Sequence, residues 1–300
     1  MTLDRVARDG LVLLGCGKMG TALLAGWLAA GLAPDAVWVI EPNPTDWLIQ
    51  TGVHLNEGLP PTPAVALLAV KPQMMGAALP ALQAHGNGTT LFISIAAGTT
   101  IASFEAALGA RTPIIRTMPN TPAMVGRGIT AICGNAHASI ADLALARALM
   151  AAVGTVVDFD REVDIDAVTA VSGSGPAYVF HLIEAMAAAG VAEGLSPEVA
   201  MQLARATVCG AGELAFQSPE TVAQLRINVT SPGGTTAAAL AVLMDQSAGF
   251  PALLRRAVKA AADRGAHKST PVEVALGRHE GVEFFLQHGA RSGRGWETRL

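Results

Sequence analysis

A short stretch near the amino terminus, GCGKMG, contains three glycines in the pattern G-x-G-x-x-G. They are Gly15, Gly17 and Gly20, and they follow the apolar run LVLL and precede the alanine- and leucine-rich TALLAGWLAAG. In a turn with this spacing, the first glycine allows a tight bend, the second admits a pyrophosphate close to the backbone, and the third brings helix and strand together. The helix N-terminus would add free N–H groups and a partial positive charge. The stretch therefore predicts a dinucleotide site, with a purely structural turn as the alternative.

An acidic side chain, Glu41, ends the second apolar run, VWVIE, about twenty residues after the glycines. A carboxylate at this position accepts hydrogen bonds from the adenosine ribose and repels a 2′-phosphate. The sequence has no Lys or Arg between Glu41 and Gln50 to hold such a phosphate. We therefore expect NAD(P)H as cofactor, with NADH slightly favoured. A solvated carboxylate at a strand end is the alternative interpretation.

Three further loops follow apolar runs of the first half: AVKP (Ala69–Pro72), IAAG (Ile95–Gly98) and MPNTP (Met118–Pro122). The carboxyl ends of parallel strands share one edge of a sheet, and ligands bind at that edge. Small residues in these loops leave room for a nicotinamide ring. Lys71 can equally be a solvated side chain.

Two loops of the second half are rich in glycine, hydroxyl groups and unpaired backbone N–H groups: SGSGPAY (Ser172–Tyr178) and TSPGGTT (Thr230–Thr236). Such loops at helix starts bind a carboxylate through amides and hydroxyls without a full counter-charge. Close helix crossings that need glycine are the alternative explanation. His181, within an apolar helical stretch, is expected in the core rather than as an acid catalyst.

The elements that must position these loops are indicated by apolar runs with little polar alternation, which is typical of parallel strands covered on both faces. We predict strands at LVLLG (Leu11–Gly15), VWVIE (Val37–Glu41), VALLAV (Val65–Val70), LFISIA (Leu91–Ala96), IIRTM (Ile114–Met118), ITAICG (Ile129–Gly134) and TVVDF (Thr155–Phe159). Helical stretches between them, such as Met19–Ala30, predict repeated βαβ units and an α/β fold with a doubly wound sheet.

After Asp160 the sequence changes to long helical stretches of Ala, Leu and Val. Ser196-Pro197-Glu198 and Ser218-Pro219-Glu220 each predict a helix start, because a serine cap precedes a proline and an acid in the first turn. We predict an α/β domain at 1–161 and an all-helical domain at 162–265. No role is assigned to the tail, 266–300.

The overall composition excludes several classes of protein. Hydrophobic residues make up 51% of the chain and charged residues 15%, which predicts a large core and a surface hidden in a homo-oligomer. A net charge of -4 without a basic run argues against nucleic acid and against an anionic membrane surface. With no membrane-length apolar run, no signal peptide and three scattered cysteines, we expect a cytoplasmic protein without a metal site.

Together, GCGKMG, AVKP, AAG, MPNTP, VSGSGPAY and NVTSPGGTT resemble pyrroline-5-carboxylate reductases, in the same order and at compatible spacing from about Leu11 to Arg264. The resemblance implies a Rossmann domain, an all-α dimerisation domain with intertwined helices, and the last step of proline biosynthesis. In that step a hydride from NAD(P)H reduces the C=N bond of Δ1-pyrroline-5-carboxylate to give L-proline.

The resemblance also implies roles for individual residues. The implied cofactor-binding residues are Gly15, Gly17, Lys18, Met19, Gly20, Glu41, Asn56, Val70, Lys71, Pro72, Ala96, Ala97, Gly98 and Asn120, with Ala96 to Gly98 and Asn120 beside the nicotinamide. The implied substrate-binding residues are Ser174, Gly175, Ser231, Gly233, Gly234, Thr235 and Thr236, of which Thr236 is also the catalytic candidate.

Two other functions remain open from the sequence. A β-hydroxyacid or 6-phosphogluconate type dehydrogenase shares the two-domain plan, but it needs a lysine that takes a hydroxyl proton in the helical domain. The lysines in or directly after that domain are Lys259 and Lys268, both near its end. A non-catalytic dinucleotide sensor would have no reason to retain the SPGGTT loop.

Overall fold

The computed structural model describes residues 3–266. Eight strands form one sheet in the order β3-β2-β1-β4-β5-β6-β7-β8. Their bounds are β1 (Leu11–Leu14), β2 (Val37–Ile40), β3 (His54–Leu55), β4 (Val65–Leu68), β5 (Leu91–Ser94), β6 (Ile114–Met118), β7 (Gly128–Gly134) and β8 (Gly154–Asp158). All pairings are parallel except that of β6 with β7. The predicted α/β class is confirmed.

Helices cover both faces of this sheet. Those of the first half are α1 (Asp4–Asp9), α2 (Lys18–Ala29), α3 (Asp46–Gln50), α4 (Met75–Ala78), α5 (Ile101–Leu108), α6 (Ile140–Ala151) and α7 (Asp164–Val168). Strand β1 shows why the apolar runs of the sequence do not alternate with polar residues. Leu11 and Leu13 belong to one fully buried cluster with Trp27, whereas Val12 and Leu14 belong to another with Phe104.

The second half of the described chain is helical. Its helices are α8 (Gly175–Ala192), α9 (Pro197–Gln217), α10 (Val222–Asn228), α11 (Thr235–Leu243) and α12 (Phe250–Ala266). The chain divides into a first unit, which runs to Gly173 and also includes the described residues from Ala262, and a second unit, Ser174–Ala261. The predicted domain boundary at 161/162 stays a prediction, and the predicted tail lies outside the described residues except for Ala266.

The second unit has a small core of its own. Helices α8 and α9 pack together around Ala187, Ala200 and Ala204. Many large apolar side chains of this unit are exposed in the single chain, among them Phe180, Phe216, Val222, Val229 and Val242. The helical stretch Asp164–Ala192 is also long and apolar enough for a membrane span by length and composition, with 6% of its apolar window buried. An apolar surface of this extent is typical of a site that another molecule covers.

Two expectations from the sequence are wrong. Ser196 caps α9 as predicted, by accepting from the Val199 N–H. Ser218, however, follows the last residue of α9, and its hydroxyl accepts from the Glu220 N–H, so α10 starts later, at Val222, with Thr221 as its N-cap. A serine can close a local turn as readily as it caps a helix. His181 is not in the core of this chain: its side chain is 82% exposed and pairs with Glu184 one turn on.

Candidate active site

The glycine turn connects β1 to α2 and has the geometry that its spacing predicts. Gly15 has a φ of +90°, and a Cβ there would lie 2.8 Å from Val70 Cγ1. A Cβ on Gly20 would lie 2.7 Å from the Gly15 carbonyl oxygen. Gly17 differs, because an added Cβ would meet nothing within 4 Å. Two glycines are thus required by close packing, and the third leaves an open approach to the backbone.

Helix α2 begins directly after this open face. Its N-cap, Gly17, provides no side-chain cap, so the first-turn N–H groups at Lys18 and Met19 keep their hydrogen-bonding capacity. Lys18 is exposed and Met19 is half-buried. An open backbone followed by an uncapped helix N-terminus is a site for phosphate oxygens. The residues present therefore fit the pyrophosphate of a dinucleotide.

Glu41 is part of the turn itself, which the sequence did not reveal. Its Oε2 accepts from the Cys16 N–H at 2.7 Å, and its Oε1 accepts from the Asn43 N–H at 2.9 Å. Both carboxylate oxygens are thereby oriented, while each retains a lone pair for a further donor. The glycine turn and the acid at the end of β2 form one hydrogen-bonded unit.

Asn56 holds the backbone of Glu41. It follows β3, has a φ of +56°, and its side chain accepts from the Glu41 N–H and donates to the Glu41 carbonyl, both at 2.9 Å. The carboxamide is thus engaged within the protein. The structure supports a role for Asn56 in positioning Glu41, and its predicted contact with the adenosine stays a prediction.

The other predicted cofactor residues lie at the same edge, because β1 to β6 run parallel and their carboxyl ends coincide. After β4, Val70 is buried and Pro72 starts a short turn of helix, while Lys71 is exposed. After β5, Ala96 is buried and donates its N–H to Ser94 Oγ at 3.1 Å. The exposed Ala97 follows, and then the half-buried Gly98, which has a φ of +75°.

Asn120 follows β6 and connects two predicted motifs. Its Oδ1 accepts from the Ile129 N–H at 2.9 Å. Its Nδ2 lies 3.2 Å from Ser172 Oγ and 3.4 Å from the Ser172 carbonyl oxygen. The expected loop at SGSGPAY is not a loop at this end: Thr169–Gly173 forms a π-helical turn that leads into α8. A proline in the first turn of α8, Pro176, is as predicted.

The substrate motifs coincide with two more uncapped helices. Helices α8 and α11 begin without a side-chain cap, at Ser174 and Gly234, whereas α5, α6 and α9 begin at a capping Thr or Ser. The predicted substrate residues that surround these two starts are all accessible in part or fully: Ser174, Gly175, Ser231, Gly233, Gly234, Thr235 and Thr236. The start of α11 offers the Thr235 N–H and nearby hydroxyls, a suitable arrangement for a carboxylate. At α8, Pro176 has no N–H and the Ala177 N–H donates to the Ser174 carbonyl, so the partly exposed Ser174 and Gly175 would have to supply the contact.

Comparison with known proteins places the chain in a family. Residues 162–268 match the model for pyrroline-5-carboxylate reductase dimerisation, and residues 11–98 match the model for NADP oxidoreductase, coenzyme F420-dependent. The pyrroline-5-carboxylate reductase of Pseudomonas aeruginosa is 40% identical over 262 residues, covering 85% of this chain and 95% of that protein. The chain belongs to the pyrroline-5-carboxylate reductase family.

Solved structures of the family agree with this membership. The reductase from Coxiella burnetii superposes with a TM-score of 0.80 at 34% identity, over 87% of this chain and 99% of that one. The Plasmodium falciparum reductase, with NADP bound, gives 0.74 at 32% identity, over 87% and 98%. The resemblance seen in the sequence is confirmed, as is an oxidoreductase with a Rossmann domain and a dimerisation domain.

A buried ion-pair network in this reductase was missed by the sequence analysis. Arg116 of β6 is 3% exposed and donates to Glu162 Oε1 and to Asp166 Oδ1, both at 3.0 Å. Glu162 Oε1 also accepts from the Ile101 N–H at 2.8 Å, the first residue of α5. The network fixes the start of α7 to the sheet and to the helix that follows the AAG loop. Charged residues far apart in sequence gave no signal of this pairing.

Cys16, inside the glycine turn, has an unreactive thiol. Burial raises the pKa of its thiol to about 11, and the Glu41 charge acts in the same direction, against the opposing Thr21 hydrogen bond. The thiol therefore stays protonated at neutral pH and supplies no nucleophile. Within residues 3–266, no group of three His, Cys, Asp or Glu side chains is arranged to hold a metal ion.

Proposed function

We propose that this chain reduces the C=N bond of Δ1-pyrroline-5-carboxylate with NAD(P)H to give L-proline, the last step of proline biosynthesis. One observation carries the proposal beyond family membership. Helices α2 and α11 begin without a side-chain cap at the two motifs expected to bind the cofactor phosphates and the substrate carboxylate. Amides left open at those positions are what an anionic cofactor and an anionic substrate require.

The glycine turn would hold the cofactor. Open N–H groups at Lys18 and Met19 would bind the pyrophosphate beside the unobstructed Gly17, while the Glu41 carboxylate would accept from the ribose hydroxyls. NAD(P)H supplies the hydride when bound. Its nicotinamide would lie against the loop from Ala96 to Gly98, where small residues leave room.

The substrate would be bound through its carboxylate. The amides of Gly233 and Thr235 and the hydroxyl of Ser231 would hold that group without a counter-charge, whereas the Gly234 N–H donates to the Ser231 carbonyl at 3.0 Å. Thr236, in the first turn of the same helix, would hydrogen-bond the ring nitrogen directly or through a water. A proton on that nitrogen makes the ring carbon a hydride acceptor, so the protein's task is mainly alignment.

We infer a preference for NADH from Glu41. Its carboxylate is held by Cys16 and Asn43 and cannot easily turn away from the ribose. A 2′-phosphate would meet this negative charge with no Lys or Arg in the segment up to Gln50. The relative from Plasmodium falciparum was solved with NADP, so the preference is a statement about this chain's own residues.

The apolar surface of the second unit suits a second copy of this chain. Residues 162–268 match a dimerisation model, and exposed side chains such as Phe180, Phe216 and Val242 would be covered in a homodimer. Burial in a dimer would account for the long apolar helical stretch Asp164–Ala192. We propose a cytoplasmic homodimer that can assemble further.

The first experiment follows the absorbance of NADH and of NADPH as Δ1-pyrroline-5-carboxylate is added. Oxidation of both, with NADH faster, is the expected result. Oxidation of neither would contradict the proposed activity and favour a dinucleotide sensor; faster NADPH oxidation would contradict only the cofactor inference.

Thr236→Ala tests the substrate site. We expect kcat/KM for Δ1-pyrroline-5-carboxylate to fall at least tenfold, about 1.4 kcal/mol. The matched control is Thr221→Ala, which removes the cap of α10 in the same unit without touching a substrate motif. A loss below about threefold in Thr236→Ala would refute the assigned role.

A further inference from the structure

Pro176, in the first turn of α8, leaves one backbone carbonyl without its usual helical partner. A proline has no N–H to donate, and its ring crowds the carbonyl four residues earlier. That carbonyl belongs to Ser172, within the π-helical turn Thr169–Gly173. The next available amide, Ala177 N–H, donates to the Ser174 carbonyl at 3.0 Å instead. Ser172 therefore requires a partner from outside the helix.

The partner is the carboxamide of Asn120. Its Nδ2 lies 3.2 Å from Ser172 Oγ and 3.4 Å from the Ser172 carbonyl oxygen, and both N–H bonds are thereby directed at one residue. Its Oδ1 is occupied by the Ile129 N–H of β7 at 2.9 Å. The side chain thus ties the π-helical turn to the β6–β7 loop.

The π-helical turn Thr169–Gly173 also packs closely against the sheet. A Cβ on Gly173 would lie 2.5 Å from Met118 Cε, at the end of β6. Ala170, in the first part of the turn, is fully buried. Together with the Arg116 network at Asp166, these contacts hold the helical segment up to the residue before Ser174. The π-helical turn that precedes Ser174 is therefore fixed to the sheet.

We infer that Asn120 is a positioning residue for the substrate motif, acting through Ser172, rather than a direct contact of the nicotinamide. This inference rests on the proposed function. Both ends of its carboxamide are engaged within the protein, and the residue it holds precedes Ser174 and Gly175, which are expected to contact the substrate. Loss of the Asn120 donor frees the turn and misplaces the hydroxyl and amide that follow.

The test compares Asn120→Asp with Asn135→Asp. Aspartate at 120 keeps the acceptor for Ile129 N–H and replaces the donor that faces the Ser172 carbonyl. Asn135 is a matched control: its Oδ1 accepts from Ile114 N–H, and its Nδ2 donates to the Thr112 carbonyl at 2.9 Å and to Glu105 at 2.8 Å. It lies at the opposite edge of the sheet, away from every proposed site residue.

We expect Asn120→Asp to lower kcat/KM for Δ1-pyrroline-5-carboxylate about tenfold, mainly through KM, because small misplacements of binding groups are costly. The Kd for NADH, measured by fluorescence titration, should stay within about twofold, well under the ~1.4 kcal/mol of a tenfold change. Ser172→Ala removes the 3.2 Å bond and keeps the carbonyl, so it should give a smaller loss of about threefold. Asn135→Asp should leave kcat/KM unchanged.

Hydrogen exchange adds a readout that does not require turnover. Amides of 173–178 should exchange faster in Asn120→Asp and not in Asn135→Asp. A Kd for NADH that rises in step with the loss of kcat/KM would overturn the inference in favour of a cofactor contact. Equal losses in both aspartate variants, or unchanged exchange and kinetics, would also overturn it. If the parent enzyme lacks turnover, the proposed function fails and the exchange comparison alone decides this inference.

Discussion

Gly17→Ala separates the two reasons for which a glycine can stand in the turn between β1 and α2. At Gly15 and Gly20 an added methyl would contact protein atoms within 2.8 Å, so those substitutions damage the fold and the site together. At Gly17 nothing lies within 4 Å of the new Cβ, and the φ of -69° is ordinary for alanine. Any loss of cofactor binding in Gly17→Ala must therefore come from a clash between the new methyl group and the cofactor.

The expected change in stability is small. Alanine is a poorer N-cap than glycine by roughly 0.5–1 kcal/mol, and it lowers the entropy of the unfolded chain by a similar free energy. The two effects offset each other to within about 0.5 kcal/mol, which shifts the Tm by roughly 2 °C at most in a domain of this size.

The expected change in cofactor affinity is large. The methyl would stand where a phosphate must approach the open N–H groups of Lys18 and Met19. Loss of one charge-assisted hydrogen bond costs about 1.5–3 kcal/mol, which raises Kd roughly 10- to 100-fold. NADH and NADPH should both weaken, since they share the pyrophosphate.

The assay is fluorescence titration of NADH and NADPH, with the Tm measured in parallel. Gly88→Ala is the control: its Cβ would meet no atom closer than 3.4 Å, and it lies before β5 at the opposite edge of the sheet. A Gly17→Ala protein with the parent's Kd for both cofactors would refute the assignment of the pyrophosphate to this turn. A fall in Tm beyond that of the control would refute the view that Gly17 is structurally free.

Glu41→Gln should shift the NADPH:NADH ratio of kcat/KM about tenfold towards NADPH, because a repelling charge is removed, and steady-state kinetics with an unchanged ratio would contradict this. The parent should lose roughly 2–3 kcal/mol more unfolding free energy than Cys16→Ala between pH 9 and 11. The thiol pKa is raised in the folded state, so the stability that the protonated thiol contributes is present below pH 9 and is lost as the thiol of the unfolded chain ionises. If urea unfolding gave the same pH dependence of the unfolding free energy for the parent and Cys16→Ala, the assignment would be wrong. Arg116→Met should lower stability by about 2–4 kcal/mol, since it leaves Glu162 and Asp166 without their cation, and calorimetry should find little change for the exposed Arg161→Met control. Equal Tm values for the two arginine variants would contradict a stabilising network.

The strands were predictable because burial on both faces demands unbroken apolar runs, as in LVLL and VALL. Strand β3 was missed, since two residues, His54 and Leu55, carry no pattern. The antiparallel pairing of β7 had an available signal: the link 119–127 is too short for a parallel crossover.

The site was predictable where chemistry is local in sequence, as in the glycine turn, and unpredictable where it depends on distant partners. Cys16 with Glu41 and Asn120 with Ser172 are joined by hydrogen bonds across many residues of sequence. No residue type or spacing in one sequence indicates which of many polar side chains will meet. The motifs showed where ligands would bind, and the structure added what holds those motifs in place.

The uncapped starts of α2, α8 and α11 also bear on how this protein can be made more robust. Serine or threonine in place of the N-cap glycines, Gly17 and Gly234, would add only roughly a few tenths of a kcal/mol each, and α8 already has Ser174 at its N-cap. A ligand present at about 100 times its Kd contributes more, ~2.7 kcal/mol, to the stability of the folded state. Heat resistance should thus track the supply of cofactor and substrate. Substitutions that cap these helix starts would raise the stability of the protein and weaken its binding of cofactor and substrate.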